Sequence, residues 1–347
     1  MQKKINAIVF EEPGKAAVRS FEIPKCGDDE VATETIYSFV SPGTELRVFS
    51  GRSESKGKFP VIPGYSWVGK ITEVGKNVKG WDKGELVSGR GAISIPGYES
   101  LWGAQASHHN CAVSGYCALV KLPQGADPWH YTPVEVGAIA SRGTSVAYPS
   151  KGETAVVIGQ GLIGLLAARW LISYGVRVIV CDLEEFRLEK SRKLGVAYAI
   201  NGRAPDIKER ILSLCPAGAD IVIEASSSQA GADIAASILR QPTSRSLNVS
   251  YNPEHIRSNA CFWPRLVYLA SYIEEKCPLP GVEGAVVLRP GDRTVSDRIA
   301  VVERIRNGEL NVDDIAEKPV SFETAPTAYI ELRDNPGKHI SLVFSWK

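Results

Sequence analysis

The spacing of apolar and polar positions divides the chain into two textures. Up to about residue 145, short alternating runs such as those at 6–10, 30–34 and 67–71 are broken at close intervals by Gly and Pro. Short strands joined by turns predict a β-rich, barrel-like domain. From Lys151 the period changes. Strand-like runs at 155–158, 177–181, 198–201, 220–225 and 246–251 alternate with stretches of helical length and period at 163–174, 184–194, 206–214 and 229–239. That alternation predicts an α/β fold with a parallel sheet and crossover helices. Beyond residue 290 a helix over 295–307 is expected, then short strands ending at 340–344.

Composition narrows the function classes. The 347 residues include 40 Lys+Arg against 39 Asp+Glu, a formal charge of +1, which argues against a partner held by a strong positive field such as nucleic acid. The length suggests two domains. The amino terminus has two lysines without an apolar core behind them, and the apolar stretch 155–172 is interrupted by Gln160 and Arg169. A buried strand feeding a helix explains that stretch better than a membrane span, and the expected location is the cytoplasm, with no membrane partner. Seven cysteines occur without a C-x-x-C spacing, so unpaired thiols in a reducing compartment are expected.

The strongest local signal is Val156-Val157-Ile158-Gly159-Gln160-Gly161-Leu162-Ile163-Gly164, a strand running through G-x-G-x-x-G into a helix. Gly159 suits a tight turn, Gly161 the approach of backbone to a pyrophosphate, and Gly164 the packing of helix on strand. The helix start at Leu162 and Ile163 offers N–H groups and a positive dipole end to phosphate. Asp182, at the end of the next strand, is placed to accept from ribose hydroxyls and repel a 2′-phosphate, so NAD is the expected cofactor. Arg187 is read either as a cover for the adenine ring or as a helix-face arginine paired with Glu184.

With these residues, with Lys151-Gly152-Glu153, and with the return segment from Val320 to Tyr329, the chain resembles the medium-chain dehydrogenase/reductase superfamily, the zinc alcohol and polyol dehydrogenases and their relatives. The resemblance implies a β-rich GroES-like catalytic domain over 1–148, completed by 290–347, around a Rossmann cofactor domain over 149–289. Zinc-dependent members carry a Cys-Gly-Thr-Asp-Leu-His-like motif and a Gly-His-Glu motif. Here the corresponding stretches read Ser41-Pro42-Gly43-Thr44-Glu45-Leu46-Arg47 and Pro63-Gly64-Tyr65-Ser66. Pro42 stands for the cysteine, Tyr65 for the histidine and Ser66 for the glutamate, so no catalytic zinc is expected at its usual place. These two motifs look like the branch containing bacteriochlorophyllide hydroxyethyl dehydrogenase and relatives of cyclitol and sugar dehydrogenases.

The resemblance makes Thr44 the hydroxyl that touches the substrate oxygen and puts Arg47 where a histidine often continues the proton relay. Without a Lewis acid, hydrogen-bond donors must stabilise a developing alkoxide, and Thr44, Tyr65 and Arg47 are the candidates. Glu45 is either a base or a buried acceptor. In the loop before residue 116, one of His108 and His109 is expected to reach the substrate, His108 being the candidate, since neighbours in an extended segment face opposite ways. A relocated metal site of a histidine, Glu45 and Cys111 stays open. The segment 259–292 does not match the family's dimer-forming strands, leaving a homodimer as a possible partner state. The expected activity is NAD(H)-dependent interconversion of a secondary alcohol and a ketone on a polyhydroxylated or cyclic small molecule. The alternatives are reduction of an activated C=C bond and dinucleotide binding without catalysis.

Overall fold

The structure, a computed structural model, describes residues 3–23, 25–52, 58–91, 95–115, 118–241, 263–269, 280 and 282–347. The expected strand at 246–251, Tyr116, Cys117, Cys261, Phe262, Cys277 and most of 278–281 lie outside them. The chain divides into two compact units, 1–138 with 294–347, and 139–293.

In the first unit the strands are β1 (Lys3–Glu12), β2 (Lys15–Ile23), β3 (Glu30–Phe39), β4 (Val61–Ile62), β5 (Trp67–Val74), β6 (Leu86–Gly89), β7 (Glu99–Ser100), β8 (His108–Ala112) and β9 (Val120–Lys121). Helix α1 (Pro42–Phe49) follows β3, and α2 (Val134–Ser145) leads out of this stretch. The second unit continues with β10 (Thr154–Ile158), α3 (Leu162–Ser173), β11 (Arg177–Asp182), α4 (Glu185–Lys193), β12 (Tyr198–Asn201), α5 (Ile207–Leu214), β13 (Ile221–Glu224), α6 (Gln229–Ser237), β14 (Arg265–Tyr268) and β15 (Val286–Leu288). The return segment adds α7 (Val295–Arg306), β16 (Val320–Ser321), α8 (Ala325–Asp334) and β17 (Val343–Ser345) to the first unit.

The first unit holds a sheet ordered β2-β1-β4-β7 and a second ordered β16-β17-β3-β5-β6-β9, with β8 also paired to β3. Gly14, at φ +79°, turns β1 into β2. A core cluster of this unit joins residues far apart in the chain, packing Ile8, Phe10 and Phe49 against Tyr329, Phe344 and Trp346. A buried ion pair reinforces this closure. The Arg298 guanidinium on α7 donates to Glu135 at 2.9 Å and to the Ala118 carbonyl at 2.7 Å.

In the second unit the sheet runs β12-β11-β10-β13-β14-β15 with every pairing parallel. Each face is covered, which is why its strands read as unbroken apolar runs. Ala155, Val157, Val178 and Ile223 pack on Ala167, Ala168 and Leu171 of α3, while Val156, Ile158, Ile179 and Val222 pack on α5 and α6. Two of these strands, β14 and β15, come from the segment 259–292. Cys26, Cys111, Cys181 and Cys215 are free thiols. No helix among the described residues is long and apolar enough to cross a membrane.

Candidate functional site

The strand order reverses between β10 and β13, and crevices outside the carboxyl ends of strands at such a point take ligands. The three glycines after β10 have separable causes. Gly159 has φ +87°, and a Cβ there would come within 2.7 Å of the Ser226 backbone. At Gly164 a Cβ would lie 1.8 Å from the Gly159 carbonyl oxygen, so helix and turn touch only because the side chain is missing. Gly161 is different. A Cβ there would meet nothing within 4 Å, and its φ of −67° suits any residue. The protein's own packing does not call for glycine at 161, whereas a pyrophosphate laid against the uncapped start of α3 does. Gly161→Ala is therefore expected to keep the thermal midpoint and to weaken dinucleotide binding about 30-fold, read by calorimetric titration.

Asp182 ends β11, with one carboxylate oxygen accepting the Gln160 N–H at 2.5 Å and the other accepting the Glu184 N–H at 2.8 Å. Arg187 lies 3.8 Å from Asp182, not on Glu184, whose carboxylate binds Arg203 at 2.7 Å. Residues that the sequence reading passed over complete this edge. Gln160 is fully buried, donates to the Val157 and Gly159 carbonyls, and accepts from Ser191 of α4 at 2.9 Å. Glu224 ends β13 and accepts from the backbone and hydroxyl of Ser226, and Ser226 in turn meets Ser228, the N-cap of α6. A serine run directly after a strand ending in an acid was the available signal.

In the first unit, α1 organises the remaining candidates. Pro42 occupies the first helical position, where a missing N–H costs nothing. Ser41 is the N-cap, yet its side chain makes no capping bond. Instead Ser41 Oγ accepts the Tyr65 hydroxyl proton at 2.6 Å, and the Ser41 N–H is taken by Glu45 at 2.9 Å. Tyr65 is thus brought to the start of the helix carrying Thr44, with Trp102 edge-on to its ring at 5.4 Å. Thr44 is buried and Arg47 half-buried three positions on, so the two share a helix face.

Glu45 is a hub. One oxygen takes the Ser41 N–H; the other accepts from Tyr329 at 2.6 Å and Gln105 at 3.1 Å. Burial pushes its carboxyl up to about 7, against the pull of the three donors. Tyr329 is held well above its ordinary value by its own burial and then by Glu45. Of the two readings of Glu45, the buried acceptor describes its surroundings.

The histidine pair stands elsewhere. It lies not in a loop but on β8, where Thr33 and Glu34 of β3 oppose His109 and His108. Glu34 is five positions from the end of β3, so His108 is about 17 Å along the strand from the α1 cluster. His108 instead meets Ser107 at 3.0 Å. His109 is fully buried, stacked on Trp67 at 4.5 Å, and burial takes its pKa down to about 3. As the strand period requires, the two face opposite ways, but neither joins Thr44 and Tyr65. Among the described residues no group of three or more His, Cys, Asp or Glu could hold a metal ion. At the family's ligand places, Pro42 has no donor atom and the Ser66 hydroxyl donates to the Thr132 carbonyl at 3.1 Å. With the Tyr65 hydroxyl directed to Ser41, this set does not fit zinc.

The sequence matches the family profiles described as "Alcohol dehydrogenase GroES-like domain" over residues 27–126 and "Zinc-binding dehydrogenase" over residues 163–252. It is 29% identical over 248 residues to the sorbitol dehydrogenase of Halalkalibacterium halodurans, covering 66% of this chain and 71% of that one. An uncharacterized zinc-type alcohol dehydrogenase-like protein of Haemophilus influenzae is 24% identical, with 99% of each chain covered. Among solved structures, alcohol dehydrogenase TADH from Thermus sp. ATN1 shares the fold with a TM-score of 0.81 at 21% identity, covering 98% of this chain and 99% of that one.

Proposed function

This chain belongs to the zinc-type medium-chain dehydrogenase/reductase superfamily and is an oxidoreductase of the dehydrogenase kind, and from that premise we propose that it interconverts a secondary alcohol and a ketone, with NAD(H) and without zinc. The proposed substrate is a polyhydroxylated or cyclic small molecule. The observation that carries the proposal is the replacement of the family's ligand set by hydroxyls directed at one another: Tyr65 on Ser41, at the head of the helix that bears Thr44.

The backbone N–H groups of Leu162, Ile163 and Gly164 would hold the pyrophosphate, Gly161 would admit it, and Asp182 would accept from the adenosine ribose. Bound there, the dinucleotide supplies a hydride acceptor or donor. The chain's part at the other end of the reaction is electrostatic. Thr44 donates to the substrate oxygen as negative charge develops on it, Tyr65 turns its single hydroxyl proton from Ser41 Oγ to that oxygen, and the Arg47 cation on the same helix face as Thr44 favours the charge. The similarity to a sorbitol dehydrogenase supports this substrate class.

The test is reduced-nicotinamide absorbance with NAD⁺ or NADP⁺ across sugars, cyclitols and secondary alcohols, with and without a strong chelator. Turnover with NAD⁺ that resists the chelator is expected; chelator-sensitive turnover would refute the zinc-free mechanism. On the substrate so found, Thr44→Val and Tyr65→Phe should each lower kcat about 100-fold while leaving the thermal midpoint in place. Full turnover by both would refute the hydrogen-bond account.

A further inference from the structure

We infer that Tyr329 and Gln105 are positioning residues for this reaction: they hold the Glu45 carboxylate, which holds the Ser41 main chain, whose hydroxyl oxygen receives and aims the Tyr65 hydroxyl. The inference rests on the reading of Tyr65 as a donor to the substrate oxygen, its one proton turning there from Ser41 Oγ, which holds the phenol oxygen in place beforehand.

With Glu45 ionised, the direction of each hydrogen from Trp346 to that carboxylate follows from the donor inventory. The Trp346 indole can only donate, and it donates to Ser38 Oγ at 2.8 Å. Ser38 then gives its single proton to Gln105 Oε1 at 2.5 Å. With its oxygen so engaged, the Gln105 amide presents Nε2 to Glu45 at 3.1 Å. Tyr329 adds the shortest bond on the carboxylate, 2.6 Å, and the Ser41 N–H fills the other oxygen. Three donors converge on Glu45, an arrangement built for the ionised carboxylate, since a proton on either oxygen must displace a donor or reverse Tyr329.

Because the Ser41 N–H is bound by Glu45 rather than left to solvent, the N-cap residue is held from behind. Its side chain is then available to Tyr65 instead of to the helix. Tyrosine is the more acidic of the two hydroxyls, so the proton on their shared axis is Tyr65's. Loss of the charge on Glu45 would therefore be felt at Tyr65 through one residue. The titratable group touching Glu45 from another element is Tyr329 on α8. Arg47 lies on its own helix, Arg333 of α8 sits over the Phe49 ring at 5.7 Å, and His109 of β8, four residues beyond Gln105, is kept neutral by burial.

The infrared band of protonated Glu45, assigned by its loss in Glu45→Gln, can be titrated in the whole protein without substrate. Tyr329→Phe keeps the ring among Phe10, Phe49 and Phe344 and should raise the Glu45 midpoint by about one pH unit. Coupling is reciprocal, so Tyr65→Phe should itself displace that midpoint, by about 0.3 pH unit or more. On the substrate found above, the acid limb of kcat in Tyr329→Phe should move by the same amount as the band, with KM within about twofold of the parent. Should Tyr329→Phe not accumulate as folded protein, Trp346→Phe removes the first donor of the chain and should move the midpoint the same way. A midpoint indifferent to Tyr65→Phe, or one that moves in Tyr329→Phe without the kcat limb, overturns the inference. Full turnover by Tyr65→Phe with the midpoint still displaced overturns instead the role given to Tyr65.

Discussion

His109→Leu should flatten the acid limb of stability. In the folded protein burial takes the imidazole down to about 3, from an ordinary value of 6.5. Between those values the unfolded chain binds the proton and the folded one does not, so stability falls as pH falls. The contribution is complete above pH 6.5, and its loss approaches about 5 kcal/mol as pH drops to 3. Glu45 works the opposite way. Its carboxyl is raised from 4.5 to about 7, so the folded state holds the extra proton, and stability is lost as pH rises through that window, by about 3 kcal/mol. From pH 4.5 to 6.5 the two slopes oppose each other and the parent should be nearly flat. Urea midpoints across this range should then rise with pH in Glu45→Gln and fall with pH in His109→Leu. Parallel profiles for parent and both variants would show that neither group titrates as its burial demands.

A second large effect is expected in cofactor choice. Asp182 is 7% exposed and already takes two backbone N–H groups, so its charge is held at the end of β11 with little solvent to screen it. A 2′-phosphate brought there meets that charge. Asp182→Ser removes the repulsion while keeping the Arg187 guanidinium, 3.8 Å from the parent carboxylate, at the same edge. The ratio of kcat/KM for NADP⁺ to that for NAD⁺ should rise about 1,000-fold, or about 4 kcal/mol. A ratio within threefold of the parent's would remove Asp182 from the discrimination and direct attention to Arg203, which binds Glu184 beside it.

The second unit was legible because its signals are local. A strand, three glycines, a helix and a terminal acid lie within thirty residues, and β10 to α6 fall within two residues of the expected bounds. The return strand expected at 340–344 pairs with β3 only from Val343. His108 and His109 were hidden by polarity, since a strand in which one histidine is core and the next is half-exposed looks like a loop until β3 is seen beside it. The network around Glu45 was out of reach for another reason. Gln105 and Tyr329 lie 60 and 284 positions away, and no period or motif relates such distances. Ser41 was visible, but as an N-cap, and only the position of Tyr65 shows that it has another partner.

The order in which the ribosome releases this chain bears on the first unit. β3 pairs with β17, and Glu45 finds its phenolic donor on α8, so both wait until residues 325–345 have been made. The intervening residues 139–293 carry a sheet whose pairings are all their own and need not wait. Until then the nascent first unit carries an open edge at the end of β3 and a carboxylate without its full set of donors. Pairing of β17 then closes that edge, and Tyr329 completes the carboxylate's donors.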